Sequence, residues 1–356
     1  MKTKGLKVLT AAAVLSLGLM TMEALAAEGW AMSGNTWVYM DQYGNRVTNE
    51  WRKGADNLWR YLNGNGEMAV SCWADEDYFV DSNGIMVANK WVKTRSYYGG
   101  DEDVWFYFGN SGKVVKDGWK KIDGRNYLFD SEGVMQTGWT EDNLYYLGSD
   151  GAMKTGWRYL EPPYDEDEDD DKYWYWIEKD GKVYVPGQDE TGKDLVGWAY
   201  KYDLGDGALE IKNGGEQFSF AKKKVNSKDY FFNKNGEMIS NFIDVVEANV
   251  DEKGNAKIAE GMYYFGGSDD GSMKTGSQSV KDDNGDTFKF YFGTKDSGSE
   301  NKGVGITGNK NNKLYYEGHL VSARDYKYQP VEFGGYTFIV NQNGSIQHSA
   351  VEYKED

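Results

Sequence analysis

Cysteine is all but missing from this chain of 356 residues: Cys72 is the only one, so no intramolecular disulfide can form. Beside Trp73 at the edge of a repeat, it reads as a small packed hydrophobe rather than a reactive thiol. Histidine is nearly as scarce, with His319 and His348 alone, both far along the chain. That scarcity removes most Ser-His-Asp, Cys-His and zinc chemistry. No stretch beyond the N-terminal run is apolar enough to cross a bilayer, so no membrane span is expected in the mature chain. Helical periodicity is missing as well outside that run, and helix content should be low. Basic residues are outnumbered, 40 against 57 acidic, for a net charge of −17. Such acidity keeps a chain soluble and argues against nucleic acid, whose phosphates it would repel.

The first residues read as an export signal. Lys2, Lys4 and Lys7 make a positive start, 8–22 is an apolar run, and Ala24-Leu25-Ala26 is a small-residue cleavage pattern. A signal peptide over 1–26 predicts a secreted protein whose mature chain starts near Ala27. Removing Lys2, Lys4, Lys7 and Glu23 takes away a net +2, which leaves the mature chain at −19.

Aromatic residues are what the chain has in abundance, with 13 Trp, 27 Tyr and 15 Phe. They recur on a period of about twenty residues. Trp119, Trp139 and Trp157 stand 20 and 18 residues apart, and Met135 and Met153 each precede the next Trp by four. Self-similarity at this period marks a solenoid, whose units bury their apolar faces only against neighbours.

Each unit reads as a β-hairpin. Aromatic segments such as Trp105-Phe106-Tyr107-Phe108 favour strands and end in Gly turns such as Asp81-Ser82-Asn83-Gly84 and Asp130-Ser131-Glu132-Gly133. Two residues past those glycines comes Met68, Met86, Met135, Met153, Met238 or Met273, a flexible side chain suited to filling gaps between stacked hairpins. The fold class expected is all-β, a solenoid of stacked hairpin repeats.

Two insertions interrupt the period, at 94–103 and at 161–172. In the second, Asp165, Asp167, Asp169 and Asp171 alternate as in a calcium loop. An EF-hand needs Gly at its sixth position and Glu at its twelfth, and Asp170 and Trp176 stand there instead. A solvated loop is the better reading. Neither a catalytic residue nor a cofactor or metal site is expected.

Strand alternation turns Trp37 with Tyr39, Trp59 with Tyr61, Trp105 with Tyr107, and Trp174 with Trp176. Trp30 lies seven residues before Trp37, and Trp51 eight before Trp59, about the length that brings two indoles onto one hairpin face. Two such rings and a third from the next hairpin make an open aromatic box. Such a box attracts a quaternary ammonium by cation–π interaction, worth roughly 0.5–2 kcal/mol per ring. The bland alternative is that the rings are the stacking core of a Gly-rich β protein.

The run Gly118-Trp119-Lys120-Lys121 through Gly133-Val134-Met135-Gln136-Thr137-Gly138-Trp139 resembles the cell wall-binding repeat of Gram-positive surface proteins, the choline-binding repeat group. The resemblance is close over 30–198 and weaker beyond. It implies a hairpin with one Trp in its Gly-Trp step and one heading its aromatic triplet, the choline site being completed by an aromatic of the following hairpin. Carried over, Trp30, Trp37 and Tyr61 make one site, and Trp51, Trp59 and Phe79 a second. Trp91 and Trp105 match only as a pair, with Leu128 in third place, and Trp157 and Trp174 are parted by the acidic insertion. The organisation expected is a signal peptide at 1–26, well-matched repeats over 27–200 and degenerate repeats with a cap over 201–356.

The function this implies is a secreted, non-catalytic bacterial protein, cell-wall associated, binding teichoic acid choline or glycan. A secreted carbohydrate-binding protein or adhesin for host or extracellular glycans is the alternative. Because the repeats begin near Trp30, no catalytic domain is expected ahead of them. A wall hydrolase with its site in the C-terminal half is a third class, and abundant carboxylates leave it open.

Overall fold

The computed structural model describes residues 28–163, 172–186, 195–248 and 258–348. The export signal at 1–26 and residues 164–171 of the acidic insertion, the calcium-like aspartates among them, lie outside the described residues. The described residues fall into two compact units, divided between Gln136 and Thr137. The described residues are all-β, with two three-residue 3-10 turns, Asn213–Gly215 and Lys295–Ser297, and no α-helix. Among them no helix is long and apolar enough to cross a membrane.

The first unit is a run of five antiparallel hairpins. They are β1 (Gly29–Ser33) with β2 (Thr36–Met40), β3 (Glu50–Lys53) with β4 (Trp59–Leu62), and β5 (Cys72–Trp73) with β6 (Phe79–Val80). Then come β7 (Lys90–Ser96) with β8 (Gly99–Phe108), and β9 (Gly118–Ile122) with β10 (Arg125–Phe129). The 94–103 insertion is a lengthened tip of the β7–β8 hairpin. Cys72 corrects its sequence reading: it is exposed, because the two-residue strand β5 turns Trp73 inward and leaves the cysteine outside. Desolvation raises the thiol's pKa, so it is not an activated thiolate.

The second unit opens on two more hairpins, β11 (Gly138–Trp139) with β12 (Tyr146–Leu147) and β13 (Gly156–Leu160) with β14 (Tyr173–Ile177). The simple step then gives way to larger sheets. Strands β15 (Leu195–Leu204), β16 (Leu209–Ile211), β17 (Phe218–Val225), β18 (Lys228–Asn233), β19 (Phe242–Ala248) and β20 (Gly261–Tyr264) form one sheet, ordered β18-β17-β15-β19-β20 with β16 on β15. Strands β21 (Gly276–Lys281), β22 (Thr287–Phe292), β23 (Gly308–Lys310), β24 (Lys313–Tyr316) and β25 (His319–Leu320) form another. A last hairpin pairs β26 (Tyr328–Phe333) with β27 (Tyr336–Asn341) and buries Val340 against Leu314 and Ile346.

One main-chain hydrogen bond joins successive hairpins. The amide two residues past each turn glycine donates to the carbonyl of the residue heading the previous aromatic triplet. In the first unit Met68 donates to Trp37 (2.8 Å), Met86 to Trp59 (2.9 Å), Val114 to Asp77 (2.8 Å) and Met135 to Trp105 (2.9 Å). In the second, Val183 donates to Leu144 (2.8 Å), Met238 to Trp174 (2.8 Å) and Met273 to Asp229 (2.8 Å). The hairpins thereby stack in sequence order inside each unit, as the period implied. Their cores are small and serial: Phe79, Phe106 and Phe108 with Val87 and Val114 in one place, Leu160, Tyr175, Ile177 and Val183 in another.

The turn glycines carry this stacking. Gly84 has φ +71°, and a Cβ there would come within 2.8 Å of Met68 Sδ and 3.0 Å of Ala69 O in the preceding hairpin. Gly34 has φ +64° with open space around it. Gly34→Ala is therefore expected to cost about 1 kcal/mol of backbone strain, and Gly84→Ala about 2 kcal/mol or more through strain plus overlap. Equilibrium urea denaturation of the full chain reads the difference. Equal losses for the two would remove the stacking role from the turn.

Candidate functional site

Two rules of the repeat position its aromatic side chains. Across its own hairpin each Gly-Trp indole faces the third residue of the triplet: Trp51 opposes Tyr61, Trp91 opposes Tyr107 and Trp157 opposes Trp176. The same indole also packs on the second residue of the next triplet. Trp51 meets Tyr78 with ring centroids 5.5 Å apart, Trp91 meets Tyr127 at 4.9 Å, Trp139 meets Tyr175 at 5.2 Å and Trp157 meets Tyr230 at 4.8 Å. Where the triplet is headed by Trp, that ring stands beside the next hairpin's Met, whose amide its carbonyl holds. A site therefore comprises the Gly-Trp indole, the triplet-head indole, the second residue of the next triplet and the next Met.

Three positions fill all four places with the expected residue types, and in two of them the paired indoles stand edge to face. Trp157 and Trp174 stand edge to face at 6.5 Å and 85°, with Tyr230 and Met238 on the same groove. Phe232 stacks on Trp157 at 5.8 Å, and Tyr159 supports Trp174 at 5.3 Å. The groove holds about 670 Å³, and Asp269, Asp270 and Lys228 stand at its edge. Asp270 is already engaged by Lys274. Trp91 and Trp105 repeat the geometry at 6.4 Å and 87°, with Tyr127 against Trp91 and Phe129 stacked on it at 5.8 Å. In the first unit Met135 completes this set through its bond to the Trp105 carbonyl.

The other two positions contain cations of the chain itself. Trp30, Trp37 and Met68 line a pocket of about 420 Å³ whose remaining wall includes Arg60 and Asp56. Arg60 occupies the place of the second-triplet tyrosine, and its guanidinium grips Asp56 at 2.8 and 2.7 Å. That clamp holds the Asp56 carboxyl far below the ordinary carboxylate range. At the next site Trp51, Trp59, Tyr78 and Met86 are in place, but Lys53 Nζ lies 5.0 Å from the exposed Trp59 ring.

The structure thus unites the predicted residues differently from the sequence reading. Trp30 with Trp37, and Trp91 with Trp105, come together as expected. Tyr61 does not close the Trp30–Trp37 site: it packs on Trp51 of its own hairpin at 5.1 Å. Phe79 does not close the Trp51–Trp59 site: it is buried against Trp73, Phe106 and Phe108. Leu128 faces Trp119, and Tyr127 is the ring that reaches Trp91. In each case the sequence reading was one residue off, and one residue along a strand changes faces.

Arg60, Tyr78, Tyr127 and Tyr230 were missed for this reason, although each follows its triplet head by one. Triplets headed by acids are structural. Asp77 binds Lys113 at 2.9 Å and Lys116 at 3.2 Å, and Asp229, its side chain 5% exposed, binds Lys302 at 2.7 Å.

Comparison with known proteins follows this geometry. Residues 116–157 match a family model described as choline-binding repeat. Glucosyltransferase-I of Streptococcus downei is 23% identical over 360 residues, covering 88% of this chain and 21% of that protein. Glucosyltransferase-S of Streptococcus mutans serotype c is 29% identical over 148 residues, covering 36% of this chain and 9% of that protein. The chain thus spans about a fifth of the length of the first relative and less of the second. Among solved structures, the modular autolysin LytC from Streptococcus pneumoniae overlays at a TM-score of 0.46 and 20% identity, covering 90% of this chain and 53% of that one. The matched segment, 116–157, is thus similar to a choline-binding repeat, and the same Gly-Trp, triplet and Gly-turn step is found on either side of it.

Proposed function

We propose that the chain is a secreted, non-catalytic protein that binds the bacterial envelope, with choline of wall teichoic acid held in its aromatic boxes. The observation that carries this reading is the box of Trp157, Trp174 and Tyr230, repeated at nearly equal distances by Trp91, Trp105 and Tyr127. A trimethylammonium group has no N–H to donate and is weakly hydrated, so ring faces suit it better than a carboxylate alone. Each ring contributes roughly 0.5–2 kcal/mol, and Met135 and Met238 offer a polarizable surface to the methyl groups.

The Trp30–Trp37 and Trp51–Trp59 sites disfavour choline, since Arg60, paired with Asp56, stands in the closing ring's place in one and Lys53 lies over the Trp59 ring in the other. Many carboxylates are committed to turns. Asp81 accepts from the amides of Asn83 and Ile85, and Asp130 from those of Glu132 and Val134. This use of acids as turn acceptors supports a binding rather than a hydrolytic role.

A glycan is the second reading, and the Trp30–Trp37 pocket favours it. Two indole faces beside a fixed Arg60–Asp56 pair offer stacking to a sugar ring and hydrogen bonds to its hydroxyls. The names of the two streptococcal relatives point to glucosyl units as well.

Binding of the chain to purified Gram-positive walls, with and without excess choline, separates these readings. Release by choline is the expected result; retention favours glycan, and no wall binding removes the envelope role. In choline calorimetry, Trp174→Ala is expected to weaken one site roughly 2- to 30-fold. Arg60→Tyr should add one choline equivalent, because it removes the cation and supplies the missing ring. Unchanged stoichiometry in that variant would show that the chain's own cation is not what closes the site.

A further inference from the structure

A second kind of site lies outside the boxes. In the ordinary step a short turn links the Gly-Trp strand to the triplet strand, as at Ile122 to Arg125. Gly197-Trp198 instead lies within β15, and β16, a 3-10 turn and β17 follow before the triplet at Asp229, which pairs with β17. The pairing of β15 with β19 carries a bulge between Trp198 and Ala199. Bulges re-aim side chains, and here Ala199 is fully buried while Trp198 is 43% exposed.

Trp198 forms one side of a concave pocket of about 280 Å³, built from β15, the end of β16, the approach to β17 and the turn after β18. Its charged lining is Lys201, Lys212, Lys234 and Glu216, a local excess of positive charge in a chain of net −17. Lys201 Nζ lies over the Phe218 ring at 5.6 Å, and Lys212 is tied to Asp203 at 2.7 Å. Gln217 and Asn235 add amide groups to the same lining.

We propose that this pocket binds an anionic saccharide, its pyranose face stacked on Trp198 and its carboxylate or phosphate directed to Lys201, Lys212 and Lys234. A flat indole covers the C–H face of a sugar, and ammonium groups are point-charge partners for an anion. The acidity of the rest of the chain does not cancel this at physiological salt, where exposed charges beyond about 8 Å are largely screened. The site shares none of the box residues and is independent of the choline reading.

The test is calorimetry on the full chain with choline at saturation, so that the boxes are occupied. The probes are an oligogalacturonate, a phosphodiester-bearing oligosaccharide and a neutral isomaltooligosaccharide of matched length. At least one anionic probe should bind tenfold or more tightly than the neutral one and weaken as salt is added. The probe that binds identifies carboxylate or phosphate as the anion. Trp198→Ala and the exposed-turn variant Lys234→Gln, combined with Lys201→Gln, should each lower that affinity tenfold or more while choline stoichiometry is unchanged. Equal binding of the neutral probe, binding untouched by these variants, or no binding of any probe would each overturn the proposal.

Discussion

The bond from the post-turn amide of one hairpin to the triplet-head carbonyl of the hairpin before it sets the spacing on which the rest depends. Met68 to Trp37, Met135 to Trp105 and Met238 to Trp174 are chemically the same bond in three places. A short hairpin is marginal alone, and a two-stranded ribbon buries little. Once this link fixes its neighbour, each Gly-Trp indole is caught between its own triplet and the next, as Trp157 is between Trp176 and Tyr230. Aromatic pairs add about 0.5–1.5 kcal/mol each beyond the area they bury, so stability accumulates along the stack.

Because the link uses only the backbone of the triplet head, that residue's side chain is free to change. Trp37, Trp59, Asp77, Trp105, Trp174 and Asp229 all serve the same bond. An indole there leaves an open box; an aspartate recruits a lysine and closes the place with an ion pair. Fold and ligand competence are therefore carried by different atoms of one residue. Within each unit the backbone link recurs whether or not the place is a box.

This separation also explains what the sequence made legible. The period, the hairpins and the turn glycines were readable because they repeat wherever the backbone link does. The triplet heads were readable too, since Trp is conspicuous. The closing residue was not: Tyr127 and Leu128 are adjacent, and only the pleat decides which of them faces back to Trp91. Arg60 in a tyrosine's place looked unremarkable until its guanidinium lined the Trp30–Trp37 pocket. Trp157 and Trp174 seemed too far apart, yet they stand on paired strands because the insertion between them extends from the hairpin tip.

Two long insertions fall at hairpin tips. Residues 94–103 and 161–172 each lie between a Gly-Trp step and its triplet. The base of a hairpin is bound by the interhairpin bond and the turn glycine contact. The tip carries neither constraint, and lengthening a loop costs only slowly more closure entropy. At Trp198 an added strand, paired with β17 and β19, gives enough surface to assemble a lysine-lined pocket that the twenty-residue unit has no room to build.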